Sequence, residues 1–212
     1  MTDKQMAVQD IVRTLLARFF VAREYSPIRA ALQKLRGFDR KVTLRAVYWA
    51  ALEKADWELA EFCLSEGYPI AADPADASDG GALHDAIASL GDRPDVIAWL
   101  IDHGANVDQR GINDDTPLIA AARRGFDGSV RVLLSRGAQI NLAPAIDDGL
   151  TALMAAASRG HSSTVEILLA AGADRRAKSR YGLDAAAIAG VKGHDDVARR
   201  IREIKGDGHG SQ

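Results

Sequence analysis

A motif of about 33 residues recurs along this 212-residue chain and restricts the folds that it can adopt. From Thr116 the sequence reads Thr-Pro-Leu, Ala-Ala-Ala, Gly, Leu-Leu and Gly-Ala. From Thr151 it reads Thr-Ala-Leu, Ala-Ala-Ala, Gly-His, Leu-Leu and Gly-Ala-Asp. The Gly-His pair that ends at His161 returns at His194, a spacing of 33 residues. Because so short a unit cannot bury its apolar face alone, the repeat predicts a stack of similar units.

The clearest unit carries the start and stop signals of two short helices. Thr116 is a good helix cap, and Pro117 suits the first turn because no intrahelical partner exists there for an N–H group. Gly125 is expected to end this helix, since glycine adopts the left-handed conformation without steric cost. A second apolar helix then follows and stops at Gly137. The unit therefore reads helix, turn, helix, loop.

This order of motifs resembles the ankyrin repeat, whose signature runs Thr-Pro-Leu-His, Ala-Ala, Gly-His, Leu-Leu, Gly-Ala-Asp. The resemblance implies an all-α ankyrin-repeat solenoid, in which β-turn loops join helix-turn-helix units. It covers the chain from about Val42 to Lys205 and is clearest from Gly80 onward. The predicted units are 42–70 (divergent), 76–108, 111–141, 146–178 and a C-terminal cap at 179–205, followed by a disordered tail at 206–212.

Residues 1–41 precede the repeats and are rich in large apolar side chains. A helix is expected from about Asp3 to Arg23, and a second, short helix is expected to open at Ser26-Pro27 and to end at Gly37. Two interpretations of this region stay open: a helical cap packed on the first repeat, or an association surface that joins two copies into a homodimer. The apolar stripe of the first helix includes Leu15, Leu16, Phe19 and Phe20.

Composition and charge narrow the environment in which the chain is expected to work. Hydrophobic residues make up 47% of the chain and charged residues 26%, which is typical of a folded protein. The formal net charge of −2 gives no general attraction to nucleic acid or to an anionic membrane. A single cysteine excludes an internal disulfide and suits a reducing compartment. Without a secretory signal or an apolar run of roughly 20 residues, the prediction is a cytoplasmic protein with no membrane or nucleic-acid partner.

The resemblance also implies where a partner would bind, because ankyrin proteins usually use the tips of their finger loops and the concave face of their first helices. The partner-binding residues predicted in this way are Ile112, Asn113, Asp115, Arg123, Arg124, Asp147, Asp148, Leu150, Ser158, Arg159, Arg180, Tyr181 and Lys192. Leu183 and Val191 occupy further finger and concave positions in the last unit.

Two charge tendencies follow from these positions. The fingers of the third and fourth units are acidic, and the concave face carries a basic ladder, which consists of Arg123, Arg124, Arg159 and Lys192. This arrangement suits a peptide of mixed charge, with Tyr181 as an aromatic anchor. The alternative interpretation is that the charges only keep the surface soluble and that the aspartates satisfy their own turns.

The sequence shows no pattern typical of catalysis, of metal binding or of a cofactor site. His84, His161 and His194 fall on motif positions that are structural in ankyrin repeats, and they have no ligand set for zinc beside them. Cys63 is expected to be a buried apolar residue. The three aspartates between residues 73 and 79 lack the glutamate of a calcium loop and are expected to lie in a solvated linker.

These observations predict a non-catalytic protein-protein interaction module, an adaptor, scaffold or inhibitor that binds an unidentified protein or peptide on its concave face and fingers. The alternative function is that of a structural protein, which associates with itself through the N-terminal helices.

Overall fold

The computed structural model describes Thr14, Ala17 and residues 26–35, 37–68, 81–111, 113–146 and 148–203. Within these residues the chain forms helices, turns and loops, and none of them lies in a β-strand. The chain divides into two compact units, which are residues 1–69 (unit one) and 70–212 (unit two). The all-α fold that the sequence predicts is confirmed.

Unit one contains three described helices, α1 (Ser26–Lys34), α2 (Gly37–Lys54) and α3 (Trp57–Ser65). Helices α2 and α3 pack on each other. The turn between them is stabilised by Asp56, whose carboxylate accepts a hydrogen bond from the Leu59 N–H at 3.2 Å and so caps α3. The boundary that the sequence places between residues 41 and 42 falls inside α2, which runs through it without a break.

The short helix expected at Ser26 differs from its prediction at one end. It begins at Ser26 but ends at Lys34, and Gly37 opens the next helix. A glycine that follows a helix by a few residues carries the same local signal whether it closes that helix or starts the link to its neighbour. The prediction that α1 would end at Gly37 was therefore wrong by three residues.

The core of unit one is aromatic as well as aliphatic. Tyr48 of α2 is fully buried and lies against Trp49 and Tyr68, with ring centroids 6.0 and 4.3 Å away. Cys63 of α3 is a free, fully buried thiol, as the sequence predicts. Burial, together with the nearby Glu66 carboxylate, raises the pKa of the Cys63 thiol to about 12. The protonated thiol that results is a core residue and not a nucleophile.

The described residues of unit two form four successive pairs of helices. They are α4 (Ala82–Ser89) with α5 (Pro94–Asp102), α6 (Pro117–Arg124) with α7 (Asp127–Ser135), α8 (Ala152–Arg159) with α9 (Ser162–Ala170), and α10 (Ala185–Val191) with α11 (Asp195–Glu203). The first helices α4, α6, α8 and α10 pack in series, and so do the second helices α5, α7, α9 and α11. This two-layer stack is the solenoid that the repeat predicts.

Local signals in the sequence set the helix ends of unit two. The Thr116, Thr151 and Asp184 side chains accept hydrogen bonds from the N–H groups of Ile119, Met154 and Ala187, and so cap α6, α8 and α10. Gly125 follows α6 with φ +71°, in the left-handed conformation that the sequence analysis expects. Between the capped ends, the small side chains of Ala121 and Ala156 are fully buried, which lets neighbouring first helices approach closely.

Polar side chains also join neighbouring pairs. Asp92 lies in the turn between α4 and α5, which is longer than the turn between α6 and α7. Its carboxylate accepts hydrogen bonds from the Gly128 N–H at 2.9 Å, the Ser129 N–H at 2.8 Å and the Ser129 hydroxyl at 2.7 Å. Asp92 thereby provides acceptors for N–H groups in the first turn of α7, which have no partner within their own helix. One pair further on, the Asp127 carboxylate accepts a hydrogen bond from the Thr164 hydroxyl of α9 at 2.5 Å. The acidic residue of the turn between α4 and α5 thus stabilises the contact with the next pair of helices.

Several sequence predictions concern residues outside the described part of the chain. They include most of the Asp3–Arg23 helix with its Leu15, Leu16, Phe19 and Phe20 stripe, the acidic linker at 71–80, and the tail at 206–212. The homodimer and the self-assembling role depend on that stripe, and they stay predictions. Among the helices described, none combines the length and the apolar character that crossing a bilayer requires.

Candidate functional site

Three successive pairs of unit two form one open groove of about 770 Å³. One side consists of the finger loops, which are the loops that precede α6, α8 and α10, and the other consists of the first helices themselves. The residues that line the groove are Asn113, Pro144, Asp148, Gly149, Leu150, Ser179, Tyr181 and Leu183 from the fingers, and Arg123, Ser158, Arg159, Ile188, Val191 and Lys192 from the helices. A groove of this volume accommodates a short segment of chain.

Backbone hydrogen bonds hold the last finger in shape. The Ser179 N–H donates to the Leu183 carbonyl at 2.9 Å, and the Gly182 N–H donates to the Ser179 carbonyl at 2.9 Å. These two bonds close a tight loop whose tip carries Tyr181, which is 70% exposed. The neighbouring finger is tied to it, because the Arg180 N–H donates to the Asp148 carbonyl at 3.0 Å. The aromatic side chain is therefore presented from an ordered loop.

The helix side of the groove changes its chemistry along the stack. Arg123, Ser158 and Val191 occupy equivalent positions at the ends of α6, α8 and α10, so a cationic residue gives way first to a small polar one and then to an apolar one. Val191 is 74% exposed, whereas Ile188, one turn earlier on α10, is buried. Together with Tyr181, these two residues make the last pair the apolar end of the groove.

Comparison with known proteins identifies the architecture. A family profile described as Ankyrin repeats (3 copies) matches residues 47–144 and 142–207, which is more than half of the chain. This chain belongs to the ankyrin-repeat family. Ankyrin repeats are generally protein-protein interaction modules, and the family is typically not enzymatic.

Two curated ankyrin proteins share part of the sequence. The chain is 41% identical over 58 residues to the Ankyrin repeat and KH domain-containing protein mask of Drosophila melanogaster. It is 40% identical over 58 residues to Ankyrin repeat and KH domain-containing protein 1 of Homo sapiens. Each alignment covers 27% of this chain, which spans only 1% and 2% of the lengths of these relatives. The similarity is therefore to a short stretch, less than two repeats long, inside much longer proteins.

The histidines of the repeats have structural partners. His84 Nε2 lies 3.1 Å from the Asp115 carbonyl oxygen, which links the first helix of one ankyrin repeat to the finger of the next. His161 Nε2 lies 3.2 Å from the Arg123 carbonyl oxygen at the end of α6. The structural role predicted for these two histidines is confirmed. No group of three or more histidine, cysteine or acidic side chains in the described part of the chain is arranged to hold a metal ion.

Asp115 and Arg123, both predicted to contact a partner, contact each other in the fold. Arg123 Nη1 lies 3.3 Å from Asp115 Oδ2, and His84 Nε2 lies 3.6 Å from Asp115 Oδ1. Asp115 is only 7% exposed. Burial by itself raises the pKa of this carboxyl, but hydrogen bonding and charge from His84 and the charge of Arg123 outweigh it, so the pKa lies below its ordinary value. The Asp115 carboxylate is thus used within the fold.

Replacing Asp115 with asparagine is expected to lower the free energy of unfolding by about 1–2 kcal/mol at neutral pH, because a buried charge-assisted contact is lost. The pKa of Asp115 is lower in the folded than in the unfolded chain. Its carboxylate therefore contributes fully to the free energy of unfolding above the unfolded pKa of about 4, and this contribution is lost as the pH falls through the folded pKa. Urea unfolding of the wild type and the variant from pH 7 down to pH 3 would show whether their free energies of unfolding approach each other below about pH 4. The control is Asp148→Asn at an exposed position, and a pH-independent difference at Asp115 would contradict the assignment.

The remaining cations of the basic ladder are Arg124, Arg159 and Lys192, which occupy equivalent positions in three successive repeats. All three are exposed, and within the described residues none of them lies within 4.0 Å of a carboxylate oxygen. Arg159 and Lys192 line the groove, whereas Arg124 lies outside its lining. Unlike the guanidinium of Arg123, these three cations form no ion pair among the described residues.

Ser179 lies in the groove wall as a buried polar group. The residue is 6% exposed, and its hydroxyl has no hydrogen-bond partner in the described structure. In the third unit the equivalent residue is Gly111, which has no side chain to satisfy. A buried hydroxyl without a partner destabilises the folded state.

Replacing Ser179 with alanine is therefore expected to raise the free energy of unfolding by roughly 1 kcal/mol, because the desolvated hydroxyl is removed. Ser129 provides the matched comparison, since it is also buried but its hydroxyl donates to Asp92 at 2.7 Å. Ser129→Ala is expected to change stability in the opposite direction. Chemical denaturation followed by circular dichroism would measure both variants, and a loss of stability at Ser179 would show that its hydroxyl has a partner.

The groove brings together eight of the thirteen predicted partner-binding residues, namely Asn113, Arg123, Asp148, Leu150, Ser158, Arg159, Tyr181 and Lys192. Asp115 is buried, and Arg180 uses its guanidinium within the loops by donating to the Ala145 carbonyl at 2.5 Å. Ile112 and Asp147 lie outside the described residues.

The sequence analysis left some lining residues out of the predicted site. Leu183 and Val191 are not in that list, but the sequence analysis does place them on finger and concave positions of the repeat, and both line the groove. Pro144, Ser179 and Ile188 carry no such signal, and only the folded chain brings them to the groove.

Proposed function

We propose that this ankyrin protein is a non-catalytic adaptor, scaffold or inhibitor, and that it binds a protein or peptide in the groove of unit two. The observation that carries the proposal is the combination found there. Exposed Tyr181 and Val191 lie in one groove with Arg159 and Lys192, which have no acidic partner in the described part of the chain. Large apolar side chains exposed beside uncompensated charge are typical of binding surfaces.

The construction of the groove supports binding by a preformed surface. Its first helices are capped, its last two fingers are tied together by a backbone hydrogen bond, and its first helices pack in series. A surface that is already ordered loses little conformational entropy when a partner binds, which leaves more of the contact energy for affinity.

The lining residues favour binding over catalysis. They include neither histidine nor cysteine. The Ser158 hydroxyl donates to the Ala155 carbonyl of its own helix at 2.8 Å, so its proton is directed to the backbone and not to a base. A nucleophile paired with a base is the usual signature of covalent catalysis, and the described groove residues do not provide one. The unbridged and buried Cys63 supports a cytoplasmic location as part of the same proposal.

A pull-down from a lysate of the source organism would test the proposal. The Arg159→Glu, Lys192→Glu double variant reverses two charges inside the groove. The matched control is Arg131→Glu, Arg176→Glu, which makes the same change of charge at two exposed positions outside the lining. We expect a protein partner that the wild type and the control retain and that the groove variant loses, with all three chains equally stable. Retention of every partner by the groove variant would remove the groove from the proposed function.

A further inference from the structure

We infer that the occupant of the groove is an extended, acidic peptide segment whose apolar side chain binds at the end formed by the last ankyrin repeat. This inference rests on the proposed function, because it names the chemical class of the partner for the same groove. It goes beyond that function by assigning the charge of the segment, its length and its register along the repeats.

Charge complementarity points to carboxylates on the partner. Arg159 and Lys192 stand at equivalent positions one repeat apart, and Arg124 continues their row on the adjacent repeat. Arg123 is directed to Asp115 and contributes little net charge. The three remaining cations have no acidic partner among the described residues, so they form a row of positive charge spaced by the distance between repeats. Arginine in particular binds carboxylates through two parallel hydrogen bonds.

The apolar end of the groove determines the register of the segment. Tyr181 and Val191 are 70% and 74% exposed, and both belong to the last repeat. Leu183 and Ile188 line the groove beside them. One large apolar side chain of the partner would cover this patch and remove it from water, while the acidic residues extend from it toward the earlier repeats.

The dimensions of the groove suggest an extended segment of about six residues. Neighbouring packed helices lie roughly 8–10 Å apart, so three successive repeats span about 16–20 Å. An extended chain advances by about 3.3 Å per residue and covers this span with five or six residues.

Asp148 favours a peptide over single-stranded nucleic acid. This exposed residue belongs to the finger side of the groove, across from the helix side that carries Arg159 and Lys192. A nucleic-acid strand in the groove would place its phosphate groups close to the Asp148 carboxylate, and the like charges would repel each other. The formal net charge of −2 gives the whole chain no general attraction to phosphates. A peptide avoids this repulsion, because its carboxylates can lie on the basic side alone.

The test is selection of peptides from a random heptapeptide display library on the intact chain, followed by fluorescence anisotropy with the labelled peptides that are recovered. We expect recovered peptides enriched in aspartate and glutamate, with one large apolar residue toward one end. Arg159→Glu, Lys192→Glu is expected to weaken their binding at least tenfold, and the control Arg131→Glu, Arg176→Glu by less than twofold. Tyr181→Ala, Val191→Ala is expected to weaken it about tenfold, by removing the apolar end.

The other outcomes separate the inference from the proposed function. Peptides without acidic enrichment that still lose affinity in the Tyr181→Ala, Val191→Ala variant would overturn the inference and leave the groove as a protein-binding site. No recovered peptide, or peptides that bind every groove variant equally, would overturn both. A labelled single-stranded oligothymidine that binds more tightly than any peptide, and that the Arg159→Glu, Lys192→Glu variant releases, would replace the peptide with nucleic acid.

Discussion

Replacing Gly125 with alanine is expected to lower the free energy of unfolding by about 3 kcal/mol, which sums two independent costs. Gly125 ends α6 with φ +71°, a conformation in which an alanine is strained by about 1 kcal/mol. The added Cβ would also lie 2.7 Å from Nδ1 of His161, so the imidazole ring would have to move. That movement breaks the contact of His161 Nε2 with the Arg123 carbonyl oxygen, which measures 3.2 Å.

Two matched variants separate these costs. Gly182 has nearly the same backbone angle, with φ +74°, but apart from its chain neighbours no described residue has an atom within 4 Å of the position that its Cβ would take. Gly182→Ala is therefore expected to show the backbone strain alone, about 1 kcal/mol. In a chain that already carries His161→Ala, Gly125→Ala should also cost only this amount, because no ring remains to be displaced. Urea unfolding of the four chains would measure the cycle, and equal costs in both backgrounds would contradict the steric explanation.

Replacing Asp92 with alanine is expected to lower the free energy of unfolding by about 2 kcal/mol, because a helix cap and the partner of a buried hydroxyl are lost together. Asp92 accepts three hydrogen bonds from Gly128 and Ser129, and Ser129 is fully buried. The change removes these three hydrogen bonds to α7, the second helix of the neighbouring repeat. It therefore weakens the interface between two repeats. Such nearest-neighbour interfaces supply much of the stability of a solenoid.

Asp95 offers the control for this prediction, because it lies three residues away and bears the same charge. Its carboxylate forms a surface ion pair with Arg93, 2.7 Å from Nη2, and Asp95→Ala is expected to cost less than about 1 kcal/mol. Asp92→Asn should lie between wild type and Asp92→Ala, since one amide oxygen still accepts a hydrogen bond. Amide hydrogen exchange at Gly128 and Ser129 would locate the effect, and unchanged protection there in Asp92→Ala would contradict it.

Asp92 also shows why part of the site and of its framework could not be predicted from the sequence. The turn that contains it departs from the ankyrin pattern, and a departure of this kind reads equally well as a binding loop or as a tolerated insertion. Its partners lie 36 and 37 residues further along the chain. No local signal connects an aspartate in one turn with a helix end in the next repeat. The same is true of Asp115, which the fold places between His84 and Arg123, 31 residues before it and 8 residues after it in the chain.

The sequence by itself determined the helices, their caps and their stacking order. These features depend on short-range chemistry: a threonine or aspartate satisfies the first turn of its own helix, and a glycine accepts the conformation that ends one. The tertiary structure decided which charged residues are paired within the fold. Arg123 and Arg159 lie near the ends of equivalent helices in successive repeats, yet one is held by a buried carboxylate and the other lines the groove without an acidic partner in the described chain. Such pairing depends on every group that folding brings within a few ångströms, and the spacing of a repeat does not encode those neighbours.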